Sequence, residues 1–154
     1  MEKVEVGIVY LDNYNLEEWG ELTFEHEYDS GFDLRAAVKK PFYVTHWKPV
    51  IVPTGVIFNL PKGYEIQIRS RSGLAAKEGV FVLNSPGTID AGYRGEVKVI
   101  LMCSSDKAVY LYPGERIAQA VVKPVLDVKL RRDEKVINID SRGSNGLGST
   151  GKKW

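Results

Sequence analysis

Cysteine is almost missing from this chain. Cys103 is the only one in 154 residues, so no intrachain disulfide can form. At the end of the run Val97-Lys98-Val99-Ile100-Leu101-Met102-Cys103 it reads as a small apolar residue on a strand rather than a nucleophile. Histidine is nearly as scarce: His26 and His46 both lie outside the Gly-rich motifs described below and read as structural or surface residues. No apolar run approaches the ~20 residues of a membrane span. The formal net charge is only +1, which argues against a bulk electrostatic partner such as duplex DNA or an acidic membrane surface. A small anionic ligand, which needs only local charge, stays open. The start, Met1-Glu2-Lys3-Val4-Glu5, is alternating and charged rather than built like a signal peptide. With one cysteine, this gives the expectation of an intracellular, cytoplasmic protein. There is no internal repeat and no interdomain linker.

What is present is a strand pattern. The length suits one domain, and a chain of this size buries about 68–70% of its unfolded surface. Hydrophobic residues make up 44% and charged residues 27%, ordinary values for a globular protein. Val4, Val6 and Ile8 alternate with Glu5 and Gly7. The same period of two runs through Val56, Phe58 and Leu60, through Tyr64, Ile66 and Ile68, and through Val97, Val99 and Leu101. Turn signals interrupt these runs at Pro53-Thr54-Gly55, Pro61-Lys62-Gly63, Ser85-Pro86-Gly87 and Pro113-Gly114. Many short strands between Gly/Pro turns predict an all-β sandwich or barrel. Ser72 to Lys77 is expected to be the only helical turn.

Five segments carry the chemistry. Asn84-Ser85-Pro86-Gly87-Thr88-Ile89-Asp90-Ala91-Gly92-Tyr93-Arg94-Gly95-Glu96 sets one acid, Asp90, in a Gly-rich turn beside an aromatic ring. Such a turn can hold a small planar ligand and act on it; a plain hairpin corner with an Asx turn has the same composition. Ser30-Gly31-Phe32-Asp33-Leu34-Arg35-Ala36 and Arg69-Ser70-Arg71-Ser72-Gly73-Leu74-Ala75 precede it. Gly114-Glu115-Arg116-Ile117-Ala118-Gln119 follows, and then the tail from Arg142 to Gly151. Arg71, Ser72 and Gly73 supply a planar guanidinium, a hydroxyl and a bare backbone amide, the donors a polyphosphate needs. Arg142, Ser149 and Thr150 with their glycines form a second such set. The same residues also suit a surface arginine, a helix-capping serine and a disordered tail. Ser141 to Lys153 holds four glycines, three serines, a threonine and three basic residues, with almost nothing to bury.

These five segments, in this order and from about residue 30 to residue 151, resemble the five motifs of the trimeric dUTPase family. The resemblance implies a distorted jelly-roll, or β-clip, domain over residues 1–140 and a flexible Gly-rich tail over 141–154. It implies a homotrimer with active sites at subunit interfaces, acting on dUTP, with no nucleic acid and no membrane as partner. It implies Mg²⁺ on the triphosphate, placed by Asp33 through a bound water, in keeping with the habit of Mg²⁺ to retain waters and bind substrate phosphates. Asp90 would activate the water that attacks the α-phosphate and releases dUMP and pyrophosphate. Arg71, Ser72 and Gly73 would hold the phosphate chain, and Gln119 would bond near the phosphate and water. Asn84 and a hairpin from Gly87 to Lys98, through Thr88 and Ile89, would read uracil. Tyr93 would lie under the deoxyribose, where a 2′-hydroxyl collides with it. Arg142, Gly148, Ser149 and Thr150 would clamp the γ-phosphate as the tail closes across a subunit boundary.

One position departs from the family pattern. Leu147 stands where the family usually carries a Phe that stacks over uracil, and leucine can cover a base but not stack on it. Weaker closure over substrate, with catalysis retained, is the expectation. Two rivals share the fold: a dCTP deaminase, mono- or bifunctional, for which Glu96 is the candidate base, and a dUTP-sensing regulatory protein.

Overall fold

The structure, a computed structural model, describes residues 3–151. Met1, Glu2, Lys152, Lys153 and Trp154, at the two ends of the expected body and tail, lie outside the described residues. Eleven strands and two short helices follow one another. They are β1 (Gly7–Tyr10), α1 (Leu16–Trp19), β2 (Phe32–Arg35), β3 (Phe42–Val44), β4 (Val50–Pro53), β5 (Val56–Asn59) and β6 (Tyr64–Arg69). Then come α2 (Ser72–Glu78), β7 (Val80–Val82), β8 (Gly87–Asp90), β9 (Lys98–Cys103), β10 (Val109–Leu111) and β11 (Arg116–Pro124). The architecture is all-β, as the alternation predicts. Every ladder is antiparallel: β2-β11-β6-β8, β4-β9-β7, β1-β5 and β10-β3.

The period of two sets the layers. In β6, Ile66 and Ile68 are buried while Glu65, Gln67 and Arg69 face the other way. In β5, Val56 and Phe58 are buried, and in β9 so are Val99 and Leu101. Together with Leu34, Val44, Leu111 and Ile117 they form one continuous core. Fully burying one such side chain is worth about 1.5–3 kcal/mol. Val4 and Val6 keep the alternating exposure of the first predicted strand, but the ladder begins only at Gly7. Thr54, the one polar residue in the core among the described residues, donates from its hydroxyl to the Val97 carbonyl at 2.6 Å.

Two expectations need correction. Ser72–Lys77 is not the only helical turn, since Leu16–Trp19 forms a second. Asn15 caps it by accepting from the Glu18 amide at 3.1 Å, and its side-chain amide donates to the Glu18 carboxylate at 3.0 Å. The helix delivers Trp19 onto Gly114, where a Cβ would lie 2.3 Å from the indole nitrogen. Gly114 also has φ +81, so both space and backbone require glycine there. The second correction concerns α2. It does start at Ser72, but Arg71 occupies the cap position and makes no side-chain capping bond, so a capping role for Ser72 is not what the structure shows.

The packed body ends near Pro124. Val125 still donates its amide to Gly63 at 2.9 Å. Beyond it, residues 126–151 form no strand and are exposed, including Leu126, Leu130, Val136 and Ile139. The stretch 126–140, expected to belong to the body, carries apolar residues that a single chain leaves uncovered.

Candidate active site

Asp33 and Gln119 are directly opposite each other on β2 and β11. Both face outward from the core, since Leu34 and Ala118 take the inner side. A register shift in β11 between Arg116 and Ala118 adds one residue at Ile117. In a regular strand, residues three apart point to opposite faces. The bulge cancels that: Ile117 and Ala118 are both buried, and Arg116 and Gln119 both line one hollow of about 240 Å³. Asp33, Arg35, Glu25 and Asp29 share that hollow.

Charge is tightly organised there. Arg71 donates from Nε to Asp33 at 3.0 Å and from Nη1 to the Arg116 carbonyl at 2.9 Å. Arg116 pairs with the other Asp33 oxygen at 3.7 Å and with Glu25 at 3.2 Å. Arg35 donates to the Gly114 carbonyl at 2.8 Å, fixing the turn that leads into β11. Asp33, Arg71 and Arg116 are each roughly one-third exposed and Glu25 is 59% exposed, so solvent screens the pairs; their value is orientation more than stability.

Ser70 joins three of the sequence motifs. Its hydroxyl accepts from the Val82 amide at 2.9 Å, its carbonyl accepts from Gln119 Nε2 at 2.9 Å, and its amide donates to Ser85 Oγ at 3.3 Å. Neither Ser70 nor Arg116 was singled out from sequence, although both stand inside the quoted motifs. The signal was the motif itself; the missing information was which side chains the bulge turns outward. Ser72 and Gly73 are exposed at the start of α2 beside this cluster.

Asp90 lies elsewhere. It ends β8, the far edge of the same sheet, opposite Glu65. Asp33 is level with Arg69 through Gln119, so three strand spacings and about four residues of rise separate the two acids, roughly 20 Å. Asp90 borders its own hollow of about 270 Å³ with Lys62, Glu65, Leu126 and Asp127. Thr88 is exposed on β8 beside it, and Ile89 is half-buried on the opposite face. Asn84 lies over Gly87, with its Nδ2 3.3 Å from where a Cβ would stand.

The expected hairpin from Gly87 to Lys98 is not a paired ladder. β8 pairs with β6, whereas β9 pairs with β4 and β7 in the other sheet. The reason is burial: Val97 and Val99 are almost wholly buried and must reach the second sheet's core, so the chain crosses between layers after Asp90. Lys98 is exposed at the start of β9. The crossing is a tight turn, with the Tyr93 amide bonded to the Asp90 carbonyl at 3.0 Å.

Among the described residues, no hydrogen bond or ion pair joins the tail from Arg142 to either group. Its hydrogen bonds are local: Arg142 Nε donates to Asn145 O at 3.0 Å, and the Ser149 and Gly151 amides donate to Gly146 and Gly148. Arg142, Leu147, Gly148, Ser149 and Thr150 are all exposed. The structure thus brings Asp33, Arg71 and Gln119 together, and leaves Asp90 with Tyr93, and the tail, apart from them in one chain. Among the described residues no three His, Cys, Asp or Glu side chains converge as a metal cage.

The all-β domain thus offers a clustered Arg–Asp–Arg group at one sheet edge, suited to an anionic ligand, along with an acid-bearing Gly-rich turn and a polar tail. Residues 17–151 match the sequence model of the dUTPase family. A deoxyuridine 5'-triphosphate nucleotidohydrolase of Chlamydia abortus is 50% identical over 126 residues, 80% of this chain and 86% of its own. That of Bdellovibrio bacteriovorus is 42% identical over 153 residues, 99% of each chain. Among solved structures, a mutant dUTPase of Staphylococcus bacteriophage 80alpha with dUpNHpp superposes with a TM-score of 0.80 at 22% identity, covering 97% of this chain and 99% of that one. The chain belongs to the dUTPase family.

Proposed function

We propose that this chain hydrolyses dUTP to dUMP and pyrophosphate, in sites shared between copies of a homotrimer. Membership of the dUTPase family supports the activity. The observation that carries the shared site is the separation of roughly 20 Å between Asp33 and Asp90 on opposite edges of one sheet. No single triphosphate lets both acids act on the same phosphorus from one chain. A second copy, presenting its Asp90 turn to the Asp33 edge, completes the set, and a tail reaching in from a neighbour covers it.

In that arrangement Arg71, Ser72 and Gly73 hold the phosphate chain, with Arg71 aimed by Asp33. Asp90 takes a proton from the water that attacks the α-phosphorus; the new P–O bond forms as the bond to pyrophosphate breaks. Gln119, anchored on Ser70 O, stays close to the phosphate and that water. Asn84, Gly87, Thr88, Ile89 and Lys98 belong to the stretch that receives uracil, and the Tyr93 ring rejects a 2′-hydroxyl. Arg142, Gly148, Ser149 and Thr150 close on the γ-phosphate, with Leu147 over the base.

Carboxylates outnumber guanidiniums in the Asp33 hollow, so a bare polyphosphate meets net repulsion there. Oxygen donors without a protein cage suit a Mg²⁺ that arrives on the substrate, with Asp33 reaching it through water. Bound there, the ion would neutralise charge on the phosphates.

The deaminase reading loses its base. Glu96 Oε1 accepts from Asn13 Nδ2 at 2.8 Å and from the Gly55 amide at 2.9 Å, a structural task that ties the turn to the N-terminal region. The test is pyrophosphate release from dUTP, dTTP, dCTP and UTP with Mg²⁺, followed by co-expression of Asp90→Asn with Arg71→Ala chains. Release from dUTP alone, and recovery of about a quarter of wild-type activity in the mixed population, are expected from random assembly. Conversion of dCTP to a uracil nucleotide would restore the deaminase. Binding of dUTP without turnover would make the chain a regulator, and no recovery on mixing would place the whole site in one chain.

A further inference from the structure

We infer that Gly95 is the positioning residue for sugar selectivity, because the Tyr93 ring lies in the space a side chain at 95 would fill; this rests on the reading of Tyr93 as the wall under deoxyribose. A Cβ at Gly95 would stand 2.5 Å from Tyr93 Oη, 2.7 Å from Cζ and 3.1 Å from Cε2. The three nearest atoms all belong to that one ring. Gly92, in the same turn, has nothing within 4 Å.

The ring is held on that seat at its far end. Its hydroxyl donates to the Glu96 carbonyl at 2.9 Å. The Glu96 side chain is in turn fixed by Asn13 Nδ2 and the Gly55 amide. Arg94 braces the start of the turn by donating to the Ala91 and Tyr93 carbonyls. A wall made of one partly exposed ring excludes a 2′-hydroxyl only if it cannot swing aside. The seat over Gly95 and the bond to Glu96 prevent that swing. Gly95 lies outside the left-handed backbone region, so alanine there brings no backbone strain and acts only through the ring.

The test is steady-state kinetics with dUTP and UTP for wild type, Gly95→Ala, Tyr93→Ala and the double variant, each checked for an unchanged melting transition. Gly95→Ala is expected to lower the dUTP:UTP ratio of kcat/KM roughly tenfold or more, mainly by admitting UTP and raising KM for dUTP. Tyr93→Ala lowers it at least as far. The double variant matches Tyr93→Ala, because no ring remains to displace. An unchanged ratio in Gly95→Ala, or the same further loss when it is added to Tyr93→Ala, overturns the inference. If Tyr93→Ala keeps the ratio while dUTP is still hydrolysed, the sugar-wall reading itself fails and this inference with it. Should Gly95→Ala not fold, Tyr93→Phe carries the test: losing the hydroxyl should lower the ratio a few-fold, and no change overturns the seat.

Discussion

At one edge of the β2-β11-β6-β8 sheet, Asp33 is gripped by Arg71 and Arg116. At the other edge, no hydrogen bond or ion pair holds the Asp90 carboxylate among the described residues, while its backbone carbonyl accepts from the Tyr93 amide. The same residue type thus has two fates. An acid between two guanidiniums serves as a fixed anchor that aims cations at a ligand. An acid in no ion pair can accept a proton without breaking one. The two carboxylates differ in their neighbours because they occupy opposite strand edges of one sheet.

That contrast can be broken most forcefully at Asp90. Asp90→Asn should lower kcat by about 10²–10⁴-fold while calorimetry still detects dUTP binding. Turnover near wild type would falsify the assignment of Asp90 as base. At the opposite edge, Arg71→Ala should reduce kcat/KM by roughly 10–100-fold, chiefly through KM, and Arg71→Lys should recover only part of it because an ammonium lacks the planar fork. A pure kcat effect would instead move Arg71 into the chemical step. Leu147→Phe sharpens the comparison from outside both edges. A stacked ring should lower KM for dUTP by about 2–10-fold with kcat little changed; unchanged constants would remove residue 147 from the base. The smallest effect is a control far from either acid. Asn15→Ala removes the cap of α1 and should cost about 1 kcal/mol in thermal unfolding while leaving kcat/KM alone.

The fold was largely legible because its signal is local. Ile66 and Ile68 alternate with Glu65, Gln67 and Arg69, and pleating alone sends them to opposite faces. The site was legible only in its membership. Asp33, Arg71 and Gln119 meet at one sheet edge, but the separation of Asp90 from them depends on strand order, a long-range property with no trace in spacing. The hairpin over Gly87–Lys98 is not a paired ladder for a related reason: the strand that carries Val99 and Leu101 pairs with β4 and β7, not with β8. The cap at Asn15 was readable and overlooked, since its pairing of Asn and Glu precedes only a four-residue helix.

The extra residue in β11 has a consequence for how this chain tolerates change. Arg116 and Gln119 share one hollow because of a count, three intervening steps made equivalent to two, and not because of any particular side chain at Ile117. An apolar residue of similar volume at 117 should therefore cost less than about 1.5 kcal/mol. Deleting 117 is different: it leaves every chemical group in the sequence and turns Arg116 inward, away from Asp33. In this strand the length of the text matters more than its spelling.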